Sequence, residues 1–385
     1  MDKIRVGLIG CGFMGKAHSN AYLNVAKFFP MKAKPVMSVI CDIEKSRAQT
    51  FKENWGWEKF ETDYKKLLKS GEIDLVDIST PNYNHKDIAL MAAENGIDIA
   101  CEKPLAMNCD EAREMVAAVK EAKVKNMVLF NYRRVPAVAL AKQLIDEGKI
   151  GDIYHIRAIY LQDWIIDPKF PLVWRLKKDI AGSGPHGDLN AHIIDLARYL
   201  VGDFSEVIGM EKTFIKKRPI PAEEGSLAAT AGKDQMGEVT VDDAVLFLAK
   251  FKKGMIGSFE ATRFANGRRN TNKIEINGSK GSIAFNIEKM NELEFYSGDD
   301  PKHAQGFRTI LVTEPVHPYM SAYWPAGHII GWGHTFINEI YDLLEGISNN
   351  NALTPDFEDG LKCQQVLEAV IKSAAEKCWI NVDEM

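Results

Sequence analysis

"IRVGLIGCGFMGKAH", residues 4–18, decides the fold: an apolar run of strand length, then Gly10-x-Gly12-x-x-Gly15, then a segment of helical composition. Between a strand and a helix each glycine has its own task. Gly10 permits a tight turn, Gly12 lets the backbone approach a pyrophosphate, and Gly15 lets helix and strand pack closely. The helix would face the phosphates with free N–H groups and the positive end of its dipole. Phe13 and Met14 fill the two positions between Gly12 and Gly15 and are expected at the same ligand.

Working outward, strand-like and helix-like runs alternate to about residue 130. The strands are "PVMSVICD" (35–42), "LVDIST" (75–80), "IDIACE" (97–102) and "NMVLFN" (126–131), with helical segments at 18–29, 44–55, 63–70, 84–95 and 109–123. Continuous apolar strands separated by helices predict a doubly wound parallel sheet, an α/β Rossmann domain over 1–132. After Pro136 the rhythm changes. A helix (137–148) leads to an extended run (151–164), a glycine-rich loop and a helix (188–202), then strands with glycine turns such as "INGSKGS" (276–282), and two closing helices (334–347, 356–377). This predicts a second domain over 133–385, α+β with a large, mostly antiparallel open sheet, and a surface loop at 222–237.

The 385 residues suit two domains, and 46% hydrophobic with 26% charged residues is a globular composition. No apolar run approaches the ~20 residues that span a bilayer, and the first residues lack a signal-peptide layout, so a cytoplasmic protein with no membrane partner is expected. A net charge of −5 argues against nucleic acid as a partner. Six scattered cysteines without a C-x-x-C pair read as reduced thiols.

The second strand ends in Asp42, whose carboxylate would accept ribose hydroxyls and repel a 2′-phosphate; NAD is expected over NADP, although Arg47 nearby keeps NADP open. The plain alternative makes Asp42 an N-cap for the next helix. Two further strands end in Ser79, Thr80, Pro81, Asn82 and His85, and in Glu102, Lys103 and Pro104. Ligands of open α/β sheets bind outside the carboxyl ends of the strands, so both sets are expected beside the nicotinamide half of the cofactor.

Together "GLIGCGFMGKAH", "STPNYNH", "CEKPLAMN", "NYRR", the "WR" of Trp174 and Arg175, and "GDLNAHIIDLARYL" resemble the Gfo/Idh/MocA family of nicotinamide-dependent sugar and inositol oxidoreductases across nearly the whole chain. The resemblance implies a Rossmann domain followed by an α/β domain whose sheet forms an oligomer interface, hence a homo-oligomer, dimer or tetramer. It identifies Lys103 with the lysine of the E-K-P motif, with a cis Lys-Pro bond, and Asp188 and His192 with the D-x-x-x-H pair. "GSGPHGDLNAH" departs from the plainer glycine run of many relatives at Pro185 and His186. "FMGKAHSNAY", "ATRFANGRRN" and "PAGHIIGWGHTF" are most similar to the branch acting on levoglucosan and on the C3 hydroxyl of glucosides.

Oxidising an alcohol requires a group that takes the hydroxyl proton and a donor that stabilises charge on the oxygen. Asp188 and His192 stand four apart at a helix start, on one face. His192, near-neutral by reference, is the candidate general base. Asp188 would bind a neighbouring hydroxyl or orient the imidazole, and Lys103 would hydrogen-bond the reacting oxygen. For His192 alone, a satisfied helix histidine is the bland alternative. Asp195 follows closely, but three ligands on one helix are cramped and no metal is expected. Asn131, Trp174 and Arg175 are expected at the cofactor, and Tyr132, Arg133 and His328 at the substrate; Arg263 and Arg268 are weaker candidates for the sugar pocket. The expected function is NAD-dependent oxidation at C3 of a glucose-configured sugar, glycoside or anhydrosugar. Its rivals are inositol oxidation, NADP-dependent keto-sugar reduction, redox glycoside cleavage and a dinucleotide-sensing regulator.

Overall fold

The computed structural model describes residues 3–221 and 231–385. They form two compact units, Met1–Arg134 with Tyr319–Lys362, and Val135–Pro318 with Cys363–Met385. In the first, β1 (Lys3–Ile9), β2 (Lys34–Cys41), β3 (Lys59–Glu61), β4 (Leu75–Ile78), β5 (Asp98–Glu102) and β6 (Asn126–Leu129) make one parallel sheet in the order β3-β2-β1-β4-β5-β6. Helices α1 (Phe13–Phe28), α2 (Lys45–Trp55), α3 (Tyr64–Lys69), α4 (His85–Glu94) and α5 (Cys109–Ala122) cross between the strands. This is the expected doubly wound sheet, with its reversal of strand order beside β1, where such sheets bind ligands. The edge strand β3, "KFE", carries no apolar run, so the sequence does not announce it.

In the second unit β7 (Ile153–Leu161), β8 (Phe204–Lys212), β9 (Lys217–Pro221), β10 (Ala231–Glu238), β11 (Ala244–Phe251), β12 (Ile256–Thr262), β13 (Thr271–Gly278), β14 (Gly281–Asn286), β15 (Glu292–Ser297), β16 (Arg308–Leu311) and β17 (Ile380–Asn381) follow. All but β9 and β10 join a nine-stranded sheet, β16-β15-β14-β13-β7-β12-β11-β8-β17. It is antiparallel except where β7 and β12 run parallel. β11 shows why it forms: Val245, Phe247, Ala249 and Phe251 point inward while Leu246, Leu248 and Lys250 point outward. Phe247 stacks on Phe259 of β12 at 4.6 Å between ring centroids. Helices α6 (Pro136–Asp146), α7 (Lys178–Ala181) and α8 (Ala191–Val201) belong to the same unit.

Two expectations change. The chain closes with α9 (Trp332–Ser348) and α10 (Phe357–Glu376), and the sequence reading places everything after residue 132 in the second domain. Instead, Tyr319–Lys362 returns to the first unit. The cause is the apolar stripe of α9: Phe336, Ile337, Ile340, Leu343 and Leu344 share one core with Ile4, Val6 and Leu8 of β1 and Tyr22 and Val25 of α1. The segment 222–237, read as a loop, lies outside the described residues to 230, but Ala231–Glu238 is a strand. It pairs antiparallel with β9, Met236 opposite Pro219 and Gly237 opposite Arg218, and its polar, glycine-containing sequence hides that pairing. Among the described residues no helix is long and apolar enough to cross a membrane, and all six cysteines are free thiols.

Candidate active site

The glycine turn takes the form its sequence requires. Gly10 has φ +114°, and a Cβ there would stand 2.7 Å from the Ser79 carbonyl oxygen. A Cβ on Gly15 would stand 2.1 Å from the Gly10 carbonyl oxygen, so α1 meets the turn with no room for a side chain. At Gly12 the same position has nothing within 4 Å. Open space there, at a helix N-terminus whose cap makes no side-chain hydrogen bond, fits a pyrophosphate held by backbone N–H groups. The Ser79 hydroxyl braces the turn, donating to the carbonyls of Ile9 and Gly10 at 3.2 and 3.1 Å.

Asp42 is buried, its Oδ2 accepting the Cys11 N–H and its Oδ1 the Glu44 N–H, each at 3.0 Å. It is not the N-cap of α2, a position held by Glu44. Each oxygen keeps a second lone pair, as a ribose hydroxyl needs. Arg47 lies 3.8 Å from Asp42 but pairs with Glu44 at 2.5 Å. Phe13 is half exposed and stacks on Trp332 of α9 at 5.4 Å, and Met14 packs against the core. The sequence alone does not single out Trp332, because tryptophans are more often core or interface residues than site residues.

At the ends of β4 and β5 the expected residues divide. Thr80 Oγ1 is buried with no hydrogen-bond partner among the described residues, an unused donor at a strand end; Pro81 is half-buried, and Asn82 opens a single 3₁₀ turn. His85 is fully buried, Nδ1 lying 3.1 Å from the Pro104 carbonyl and Nε2 3.0 Å from that of Thr80. Glu102 is also buried, its Oε1 3.1 Å from His18 Nε2 and its Oε2 accepting the Lys103 N–H at 3.0 Å. These two, expected at the cofactor, are packed around the turn that carries Lys103, because burial leaves their polar atoms only protein partners. The Lys103–Pro104 bond is cis.

Asn131–Arg134 forms one 3₁₀ turn, and Asn131 Nδ2 donates to Thr335 Oγ1 at 2.8 Å. Tyr132 is buried, as is Arg133, whose Nη1 faces Thr354 at 3.4 Å and Asp359 at 4.0 Å. Its Nη1 thus faces the start of α10. His328 stands exposed ahead of α9, Nδ1 2.8 Å from the Pro325 carbonyl.

In the second unit Asp242 fixes the segment before Asp188. Its carboxylate accepts the N–H groups of Gly184 at 2.7 Å and His186 at 2.9 Å, and a Cβ on Gly184 would stand 2.0 Å from its carbonyl oxygen. Burial holds His186 below the ordinary imidazole value. The neutral ring donates from Nε2 to the Leu367 carbonyl at 2.8 Å and accepts at Nδ1 from Asn190 at 2.9 Å. The departure at Pro185 and His186 thus builds a braced entry to one π-helical turn, His186–Asn190, which runs into α8. Such turns recur at functional sites.

On that turn Asp188 forms an ion pair with Arg263, which follows β12 and is 1% exposed. The guanidinium lies 4.9 Å from the centroid of the Trp164 ring, and its Nε and Nη1 are buried without hydrogen-bond partners among the described residues. His192 is 8% exposed, its ring 5.9 Å from that of Tyr160. Trp164 Nε1 donates to Gln162 Oε1 at 2.8 Å, and Gln162 and the Tyr160 hydroxyl both donate to Asn270 Oδ1 at 2.9 Å. Asp188 and His192 therefore share their surroundings with Tyr160, Gln162, Trp164 and Arg263. The signal for these was their place at the ends of neighbouring strands: Leu161 of β7 pairs with Thr262 of β12. Trp174 and Arg175 share a one-turn helix, the guanidinium 4.3 Å from the indole centroid. Asp195 is buried, and among the described residues no group of three histidine, cysteine or acidic side chains is arranged to hold a metal.

Residues 4–130 match the model of an oxidoreductase family with an NAD-binding Rossmann fold, and residues 138–284 match that of the GFO/IDH/MocA C-terminal domain. The chain is 44% identical to a levoglucosan dehydrogenase of Pseudarthrobacter phenanthrenivorans over 100% of both chains. A levoglucosan dehydrogenase solved with NADH and levoglucosan is 44% identical, with a TM-score of 0.94 over 100% of both chains. An oxidoreductase domain protein from Kribbella flavida is 46% identical, with a TM-score of 0.95 over 99% of this chain and 100% of that one. The chain belongs to the Gfo/Idh/MocA family of oxidoreductases, and its first domain is that family's NAD-binding Rossmann fold.

Proposed function

We propose that the protein oxidises a secondary hydroxyl, at C3, of a glucose-configured sugar, glycoside or anhydrosugar, with levoglucosan the first compound to test. The observation that carries this reading is the full-length similarity to a levoglucosan dehydrogenase. Bound NAD supplies the hydride acceptor. Gly10, Gly12 and Gly15 would cradle its pyrophosphate, Asp42 its ribose hydroxyls, and Thr80, Asn131, Trp174 and Arg175 would complete its site. His192 takes the hydroxyl proton as general base, and the Lys103 ammonium donates a hydrogen bond to the oxygen on which charge develops. The opposite charge of Arg263 favours the ionised form of Asp188. Asp188 then accepts from a neighbouring sugar hydroxyl rather than supplying a proton.

The test is NADH absorbance on mixing the protein with levoglucosan and each cofactor. NADH should form, with kcat/KM for NAD+ above that for NADP+ by about 10- to 100-fold, since Asp42 repels a 2′-phosphate and the Arg47 charge is paired with Glu44. NADH from inositols but from no glucose-configured substrate would replace this reading with an inositol oxidation.

A second copy of the chain is the proposed partner of the nine-stranded sheet. Met210, Leu246, Leu248 and Ile256 are 66%, 42%, 53% and 60% exposed, and the register sets Met210 beside Leu246 and Ile256 beside Lys250 on one face. An apolar patch of this kind marks an interface. Light scattering should give the mass of a dimer or tetramer for the wild type and that of one chain for Leu246→Glu with Leu248→Glu; a monomeric wild type rejects the assignment.

A further inference from the structure

The turn that carries Lys103 is flanked by two buried histidines. Ahead of it, His18 of α1 is 0% exposed between two carboxylates, Nδ1 2.9 Å from Asp77 Oδ1 on β4 and Nε2 3.1 Å from Glu102 Oε1 on β5. Carboxylate oxygens only accept, so both ring nitrogens carry protons and His18 is an imidazolium. Burial alone would pull such a ring toward neutrality; Asp77, and after it Glu102, outweigh burial and raise it to about 10. The remaining carboxylate oxygens are committed too. Asp77 Oδ2 accepts the Tyr22 hydroxyl, and Glu102 Oε2 accepts the backbone N–H of Lys103, each at 3.0 Å.

Behind the turn, His85 lies with Nδ1 3.1 and 3.3 Å from the carbonyls of Pro104 and Leu105 and Nε2 3.0 Å from that of Thr80. Burial keeps this ring below its ordinary value. A neutral imidazole has one N–H to give and a carbonyl only accepts, so the ring holds the turn in the tautomer whose Nδ1–H is shared by the Pro104 and Leu105 carbonyls, with Nε2 unprotonated toward Thr80. Each histidine thus faces the end of β4, at Asp77 or Thr80, with one nitrogen, and the Lys103 turn with the other. One does so by charge and the other as a neutral ring, and together they fix the peptide on both sides of the lysine.

We propose that His18, acting through Glu102, and His85, acting through the carbonyls after Lys103, are positioning residues that aim the lysine. This rests on the proposed role of Lys103 at the reacting oxygen. Neither ring touches the substrate in this account; each removes freedom from a backbone whose displacement by about 1 Å costs on the order of 10²-fold in rate.

The experiment measures kcat and KM with levoglucosan and NAD+, and NAD+ affinity by calorimetry, for His18→Gln, His85→Gln and Glu102→Gln, each alone and combined with Lys103→Ala. Single variants should lose about 10- to 100-fold in kcat, with KM and NAD+ affinity within about threefold of wild type. On the Lys103→Ala background the same changes should cost less than about twofold more, because there is no lysine left to aim. Equal cost on both backgrounds, or wild-type kcat in the single variants, overturns the proposal. Wild-type kcat in Lys103→Ala is a different result and overturns the role of Lys103 itself. If Lys103→Ala is too slow to divide, Lys103→Arg serves as the background, and if His18→Gln does not fold, Glu102→Gln breaks the same link with His18 in place.

Discussion

His192→Ala is expected to lower kcat by about 10²- to 10⁴-fold, the range for losing a positioned general base, while NAD+ still binds. His192 lies on α8, whereas the glycine turn and Asp42 belong to the other unit, so losing the imidazole leaves the proposed pyrophosphate and ribose contacts intact. A base must be unprotonated to act. The kcat/KM profile of the wild type should therefore rise with pH along a limb that is absent from His192→Ala. Asp188→Asn makes the contrast: it removes a charge that Arg263 pairs with but no proton acceptor, so the limb should persist while kcat/KM falls. Steady-state NADH formation across pH checks both variants. A limb that survives in His192→Ala would assign the base to another group.

Much of this machinery was legible because glycine and strand-end positions constrain backbones. Gly10 must be glycine at φ +114°, and Gly15 must be glycine where a Cβ would meet a carbonyl oxygen. Asp42 and Lys103 follow strands whose apolar runs mark where the sheet ends. Other residues were illegible because their meaning lies in partners far along the chain. His18 reads as any helix histidine until Asp77 and Glu102 appear beside it, and His85 likewise until Pro104 and Thr80 do. Arg263 looked like a marginal pocket cation; its ion pair with Asp188, 75 residues away, makes it central. The return of α9 to the first unit was hidden for a related reason. An amphipathic stripe says that a helix is buried on one side, not which sheet buries it.

Glu339→Gln is expected to raise the melting temperature, by an amount that grows with pH. Glu339 of α9 is 0% exposed, and neither carboxyl oxygen has a hydrogen-bond partner among the described residues. Burial pushes its pKa well above the ordinary 4.5; Arg134 and His18 oppose that shift, while Glu102 and Asp77 reinforce it. The folded chain therefore holds this proton where the unfolded chain has released it. Stability then falls as pH rises above the unfolded value, by up to about 1.4 kcal/mol per pH unit while one proton separates the two states. Glutamine has the same shape and nothing to ionise, so the variant escapes that slope. With each kcal/mol worth about 2–4 °C for a unit of this size, the gain should be small at pH 5 and several degrees at pH 8. His18 also makes stability fall with rising pH, but in a higher window. Its contribution is complete below the ordinary 6.5 and is lost as pH climbs through about 10. His18→Gln should accordingly cost about 3–5 kcal/mol at pH 6, as removing one partner from a buried charge network does, with the deficit narrowing toward pH 10. Melts of the two variants and the wild type separate the contributions, because Glu339→Gln gains where His18→Gln loses. A gain in Glu339→Gln that did not change with pH would mean that the carboxyl is already ionised in the fold, held by the Arg134 and His18 charges rather than by a proton.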